Sequence, residues 1–149
     1  MKKIALLLIY TCMSLFADPK VQDFETYLNT FTYEERKDMK INSVELTVML
    51  EEEKAQLVDI RFKEEYAAWH MPFSMNIPIN ELATRLDELD KSKLIVTACP
   101  HKDRAIMART FLKLKGYDSR YLTDGLIGLA EFLRGDSAKE FINEYKPKP

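Results

Sequence analysis

The chain has 149 residues, of which 46% are apolar and 31% charged, with four glycines and six prolines. This length and composition favour one globular domain over two and exclude a disordered or fibrous chain. The formal net charge of −2 gives no indication of nucleic-acid binding.

The chain begins with a segment that is typical of an export signal. Residues 1 to 17, MKKIALLLIYTCMSLFA, contain two lysines, an apolar stretch and then Ala17. The apolar stretch is shorter than the roughly 20 residues that span a membrane, so a cleaved signal peptide is favoured over an uncleaved anchor. Cleavage would remove Cys12 and leave Cys99 as the one cysteine of the mature chain. We therefore expect a periplasmic or secreted protein that meets the membrane only during export.

A helical extension is expected before the main domain. Residues 18 to 41 are polar and aromatic-rich, with apolar residues at helical spacing. The domain itself is expected to cover residues 42 to 149. It opens with a helix over residues 43 to 53, because Asn42 and Glu45 have the spacing of a capping box.

Short apolar runs then alternate with amphipathic segments. Strands are predicted at QLVDI (56 to 60), LIVTA (94 to 98) and SRYL (119 to 122), and helices at residues 80 to 89, 104 to 115, 126 to 133 and 138 to 145. This alternation predicts an α/β fold with a central, mainly parallel sheet that has helices on both faces.

The segment with the clearest chemical meaning lies between the second of these strands and its following helix. It is a six-residue loop formed by Cys99, Pro100, His101, Lys102, Asp103 and Arg104. A cysteine at the end of a parallel strand, beside a helix N-terminus, is expected to have a lowered thiol pKa. Lys102 and Arg104 add positive charge, so we expect the loop to hold a thiolate and an anionic substrate together.

Several motifs in one order resemble the rhodanese, or thiosulfate sulfurtransferase, family. They are LVDIR at residues 57 to 61, then Glu64, Glu65 and Tyr66, the set Tyr66, His70, Pro72 and Ile77, the pair Cys99 and Arg104, and Asp124 and Gly125 followed by Leu126. The resemblance extends from about residue 42 to residue 134. It implies a single rhodanese-like domain.

The resemblance implies that Cys99 is a nucleophile that becomes a persulfide and passes its sulfur to a thiol or protein acceptor. The donor would be a small anion, thiosulfate or polysulfide, bound by residues 100 to 104. Asp59 and Arg61 would support neighbouring loops by charge pairing. No cofactor is implied, and the two histidines and single cysteine of the mature chain do not form a metal site.

Three alternatives remain open at the level of the sequence. The domain could be a non-catalytic rhodanese-like binding or sulfur-carrier module, and Cys99 could be a small buried apolar residue. Phosphatase or arsenate-reductase chemistry is disfavoured, because related phosphatases have one more residue between the cysteine and the arginine.

Overall fold

A computed structural model describes residues 22–145, so the predicted signal peptide and Cys12 lie outside the described residues. Five parallel strands form one sheet in the order β1-β5-β4-β2-β3. The strands are β1 (Lys40–Ile41), β2 (Ala55–Asp59), β3 (Met75–Asn76), β4 (Leu94–Ala98) and β5 (Ser119–Leu122). The helices are α1 (Phe24–Asn29), α2 (Tyr33–Asp38), α3 (Ser43–Glu51), α4 (Lys63–Ala68), α5 (Asp103–Leu114), α6 (Gly125–Phe132) and α7 (Asp136–Glu144).

The predicted α/β fold with helices on both faces is confirmed. Every residue of β4 is buried, as expected for a central strand covered on both sides. Its side chains alternate between two cores: Val96 packs with α3, α6 and α7, and Ile95 packs with α5. In residues 22–145 no helix is long and apolar enough to cross a membrane.

The predicted α-helix over residues 80 to 89 is wrong. The structure has two short 3₁₀ turns there, Leu82–Thr84 and Leu86–Glu88. Both turns present leucines to the core at the spacing that suggested a helix, and Leu82 is fully buried. Short helical segments depend on tertiary packing rather than on propensity, so two tight turns satisfy the same apolar pattern.

Strand β1 was not predicted, and it precedes the expected start of the domain at residue 42. Lys40 pairs with Tyr121 and Ile41 pairs with Leu122 on β5. A strand of two residues is too short to show a period in the sequence. The N-terminal extension therefore contributes one of the two edge strands of the sheet.

The extension is also tied to α5 by a buried polar network. Arg109, only 1% exposed, donates from Nη1 to the Tyr27 hydroxyl at 2.7 Å and from Nη2 to the Glu35 carboxylate. The Tyr27 hydroxyl donates in turn to Glu35 at 3.0 Å. A buried charge needs such partners, so these contacts hold α1 and α2 against the helix that begins in the cysteine loop.

Candidate active site

The cysteine loop lies at the carboxyl end of the central strand. Cys99 directly follows β4 and is fully buried, and α5 begins at Asp103. The backbone N–H of Leu126 donates to the Cys99 carbonyl at 2.9 Å, and that of Ile127 donates to the Pro100 carbonyl at 3.3 Å. The first amides of α6 therefore hold the start of the loop, at the edge where parallel sheets bind their ligands.

Close packing of the loop requires a glycine at the start of α6. Gly125 has φ of +64°, and a Cβ there would lie 2.3 Å from the carbonyl oxygens of both Pro100 and His101. Backbone atoms cannot move aside as a flexible side chain can. Any other residue at position 125 would push the loop away from the sheet.

The environment of the Cys99 thiol differs from the sequence-based expectation. Burial raises the pKa of Cys99, which corrects the predicted lowering. Hydrogen bonds from the backbone of Ala105 and His101 lower this pKa, but the Asp103 carboxylate, 3.5 Å from Sγ, raises it further. The helix end does act on the sulfur as predicted, but desolvation has the larger effect.

Arg104 forms an ion pair with Glu65, a residue outside the cysteine loop. Its Nη1 and Nη2 donate to the two Glu65 carboxylate oxygens at 2.7 and 2.9 Å. This pairing raises the pKa of Arg104 and lowers that of Glu65. Sequence reasoning placed Glu65 only within a family motif, because no local pattern pairs residues 39 positions apart. Three guanidinium N–H groups remain to bind a donor, beside a carboxylate that offsets part of the charge.

Asp59 and Arg61 form a buried pair beside the loop. Arg61 donates from Nε and Nη2 to Asp59, and Nη2 also donates to the Trp69 carbonyl at 2.7 Å. The guanidinium stacks on the Trp69 ring, 4.2 Å from its centroid. Asn76 donates to the carbonyls of both residues of the pair. These contacts fix the end of β2 and the chain that leads to Glu65 on α4.

The remaining loop residues are more exposed than Cys99. His101, Lys102 and Asp103 are exposed, and Pro100 is half-buried. Lys102 occupies the N-cap position of α5, and it has no ion-pair partner within residues 22–145. Lys102 is therefore exposed to solvent at the N-terminus of α5.

The histidine of the family signature lies against an aromatic ring. His70 stacks on Tyr66 at 4.0 Å between centroids, and its Nδ1 lies 3.0 Å from the Tyr66 carbonyl. The Tyr66 hydroxyl donates to the Ser74 carbonyl at 2.8 Å. These contacts shape the turn before β3. Within the described part of the chain, no group of three or more His, Cys, Asp or Glu side chains could hold a metal ion.

Asp124 links the start of α6 to α3. Its Oδ2 accepts hydrogen bonds from the backbone N–H and the hydroxyl of Ser43 at 2.7 and 2.8 Å. A Cβ at Gly128 would lie 2.6 Å from the Asp124 Cβ. Gly128 thus leaves room for a side chain that caps a helix 81 positions away.

The structure is thus an α/β protein with a buried cysteine at the end of the central parallel strand, in a loop that ends in arginine. The sequence matches the family model of the rhodanese-like domain over residues 43–131, which is more than half of the chain. The chain therefore belongs to the rhodanese-like domain family. This confirms the resemblance found in the sequence.

Curated relatives include proteins of very different length. The chain is 30% identical over 76 residues to the thiosulfate sulfurtransferase GlpE of Pseudomonas syringae pv. syringae, covering 51% of the chain and 72% of the relative. It is 38% identical over 90 residues to the HTH-type transcriptional regulator Rv0324 of Mycobacterium tuberculosis, covering 58% of the chain and 39% of the relative. It is 33% identical over 116 residues to the adenylyltransferase and sulfurtransferase uba4 of Ogataea parapolymorpha, covering 74% of the chain and 29% of the relative. The chain thus spans about two fifths or less of the length of the regulator Rv0324 and of uba4.

Solved structures show the same fold. The human single-domain sulfurtransferase TSTD1 superposes with a TM-score of 0.56 at 27% identity, covering 62% of the chain and 96% of that protein. A rhodanese-related protein from Thermoplasma volcanium has a TM-score of 0.56 at 26% identity, covering 62% of the chain and 90% of that protein. The proteins that this chain resembles in fold thus include a sulfurtransferase.

Proposed function

We propose that the chain is an exported sulfurtransferase that carries a sulfane sulfur as a Cys99 persulfide. The observation that carries this proposal is the position of the Cys99 sulfur. It lies at the start of the loop, where the backbone of Ala105 and of His101 hydrogen-bonds to it. The same amides would stabilise the negative sulfur of a persulfide, as helix N-termini stabilise bound anions.

The transfer takes place in two balanced steps. The Cys99 thiol loses its proton to solvent, and the resulting thiolate attacks the outer sulfur of the donor. A new S–S bond forms, the donor's S–S bond breaks, and the donor leaves with the electron pair as a thiolate or as sulfite. A thiolate acceptor then attacks the outer sulfur of the Cys99 persulfide and regenerates the Cys99 thiolate. The covalent intermediate divides one transfer into two easier displacements.

The charges around the loop support polysulfide or a protein persulfide as the better donor. Asp103 places a carboxylate 3.5 Å from Sγ, and Glu65 offsets part of the Arg104 charge. Pro100 lacks a backbone N–H that could bind an oxyanion. Each of these features disfavours thiosulfate, whose sulfonate oxygens need N–H donors and positive charge, more than a persulfide or a polysulfide, which has no oxygen atoms to bind. Lys102 and the free N–H groups of Arg104 would bind the donor, and a small thiol or a protein thiol would accept the sulfur.

Export would place this chemistry in the periplasm or outside the cell. Two features of the sequence support this: residues 1 to 17 have the layout of a signal peptide, and cleavage would leave Cys99 without a cysteine partner within the chain. A thiol with a raised pKa is a weaker target for oxidants, which suits an oxidising compartment. Intact mass of the protein recovered from the periplasm or medium tests export, and a mass that retains residues 1 to 17 would contradict cleavage.

Mass spectrometry after incubation with polysulfide tests the persulfide itself. We expect a gain of about 32 Da on Cys99, the mass of one sulfur atom, that cyanide removes with release of thiocyanate. Cys99→Ser should abolish both the gain and the release. Retention of full sulfur transfer by the serine variant would contradict the assignment of the nucleophile.

A second candidate function is a sulfur-carrier or binding module without turnover. Full burial of Cys99 and its raised pKa favour this alternative, because both reduce the thiolate available at neutral pH. The two functions differ in rate. A carrier would gain the sulfur slowly or only from a partner protein, whereas an enzyme would release many equivalents of thiocyanate per cysteine.

A further inference from the structure

A cavity of about 480 Å³ lies on the far edge of the sheet, between α2, β1, the start of α3 and β5. None of residues 99 to 104 lines it. Its volume falls within the range of small-molecule sites, roughly 300 to 1,000 Å³. The cavity is therefore a separate candidate site from the cysteine loop.

Positively charged side chains dominate the lining. The cations are Arg36, Lys37, Lys40 and Arg120, and the carboxylates are Asp38 and Glu45. Within residues 22–145 none of these six side chains takes part in an ion pair. Glu45 instead accepts from the Asn42 backbone as part of the α3 capping box. The cavity thus holds an excess of positive charge in a protein whose formal net charge is −2.

Arg120 provides an independent sign of a missing partner. Its Nε is buried and has no hydrogen-bond acceptor among the described residues. Buried N–H groups without an acceptor are rare and costly. Lys40 is half-buried on β1, where it pairs with Tyr121, the residue next to Arg120. Two partly desolvated cations on adjacent strands therefore share this cavity.

We propose that this cavity binds a small polyanion of the pyrophosphate type. A guanidinium presents several N–H donors in a plane that matches phosphate oxygens, and lysines add charge around it. Four cations spread over α2, β1 and β5 and a cavity of this volume suit two linked phosphate groups better than one.

The site belongs to this chain rather than to its family domain. Arg36, Lys37 and Lys40 precede residues 43–131, the part that the family model matches. The N-terminal extension brings them to β5 because β1 joins the sheet there. The site therefore does not depend on sulfur transfer at Cys99, and a protein that transfers no sulfur can still bind the anion.

Calorimetry and thermal unfolding of the full chain with inorganic pyrophosphate test the site, with sodium chloride at equal ionic strength as the reference. We expect pyrophosphate to raise the Tm more than the chloride does, and to bind more tightly than inorganic phosphate. Arg120→Met should weaken pyrophosphate binding at least tenfold. Lys40→Gln, on a half-buried cation of the same cavity, should weaken it also and covers the case in which the arginine variant folds poorly. Lys139→Gln, an exposed cation on α7, should leave binding unchanged.

A second readout observes Arg120 directly. The Nε–H resonance of Arg120 in an ¹⁵N-labelled chain should shift on titration with pyrophosphate. The proposal is overturned if the parent chain does not bind pyrophosphate at millimolar concentration, if sodium chloride reproduces the change in Tm, or if parent and Arg120→Met bind with equal affinity.

Discussion

Glu65 on α4 holds the guanidinium of Arg104 on α5 through two hydrogen bonds of 2.7 and 2.9 Å. The carboxylate thereby reaches the loop whose positive charge was expected to attract an anionic sulfur donor. Both side chains remain partly exposed, so the pair contributes little to folding. Its main effect is on the charge that a donor meets near Cys99.

Glu65→Gln should raise the efficiency with thiosulfate, because the variant removes a negative charge and releases N–H groups of Arg104. We expect a gain of roughly three- to tenfold in kcat/KM for thiosulfate, with a smaller change for polysulfide. Arg104→Ala should lower thiosulfate efficiency about ten- to hundredfold, the value of a charge-assisted hydrogen bond. Glu64→Gln, on the exposed neighbour in the same helix, is the control. Equal thiosulfate kinetics in Glu65→Gln and Glu64→Gln would contradict this role.

Asp103→Asn should make Cys99 more reactive at neutral pH. The carboxylate accepts a hydrogen bond from the thiol and repels the thiolate, so its removal should lower the pKa of Cys99. The rate of alkylation by iodoacetamide follows the thiolate, so its rise with pH should move to lower pH.

Asp118→Asn, on an exposed residue before β5, provides the matched control for this pH profile. This variant should have the same pH dependence of Cys99 alkylation as the unchanged protein. A profile for Asp103→Asn that coincides with the control would show that the carboxylate does not act on the sulfur.

Gly125→Ala and Gly135→Ala together separate backbone strain from contact with the loop. Both glycines have positive φ, +64° and +58°, which L side chains rarely adopt, so each alanine variant is strained whatever the space around it. Only at position 125 would the new Cβ meet the carbonyls of Pro100 and His101, since no atom lies within 4 Å at position 135. Urea denaturation should show a larger loss of unfolding free energy for Gly125→Ala, together with loss of persulfide formation. Persulfide formation at the parent level in Gly125→Ala would contradict the close packing of loop and helix.

Gly128→Ala should destabilise the protein although alanine favours helices by about 1 kcal/mol over glycine. The new Cβ would meet the Asp124 Cβ at 2.6 Å and displace the carboxylate from Ser43. In the background of Asp124→Gly, which removes that Cβ, the same change should become neutral or stabilising. A double-mutant cycle by urea denaturation measures this reversal. The same sign of the effect in both backgrounds would rule out the clash.

Much of the fold could be predicted because its signals are local. Strands LIVTA and SRYL have the predicted bounds, since a parallel strand that is covered on both faces appears as a short apolar run. The Asn42 and Glu45 capping box is confirmed at the start of α3. These features depend on residues that are within a few positions of each other.

Residues 80 to 89 show where a local pattern is ambiguous. The same leucine spacing fits one α-helix or two 3₁₀ turns, and packing decides between them. Strand β1 has too few residues to show any pattern, and it exists because β5 offers an open edge.

The sequence by itself determined the parallel α/β sheet and the loop that places a cysteine and an arginine at one strand end. Only the tertiary structure decided the charge around that cysteine. Glu65 reaches Arg104 across 39 positions, and Ser43 meets Asp124 across 81, because packing of the helices on the sheet brings them together. The direction of the Cys99 pKa shift also depended on packing, because desolvation depends on how completely the surrounding elements exclude water.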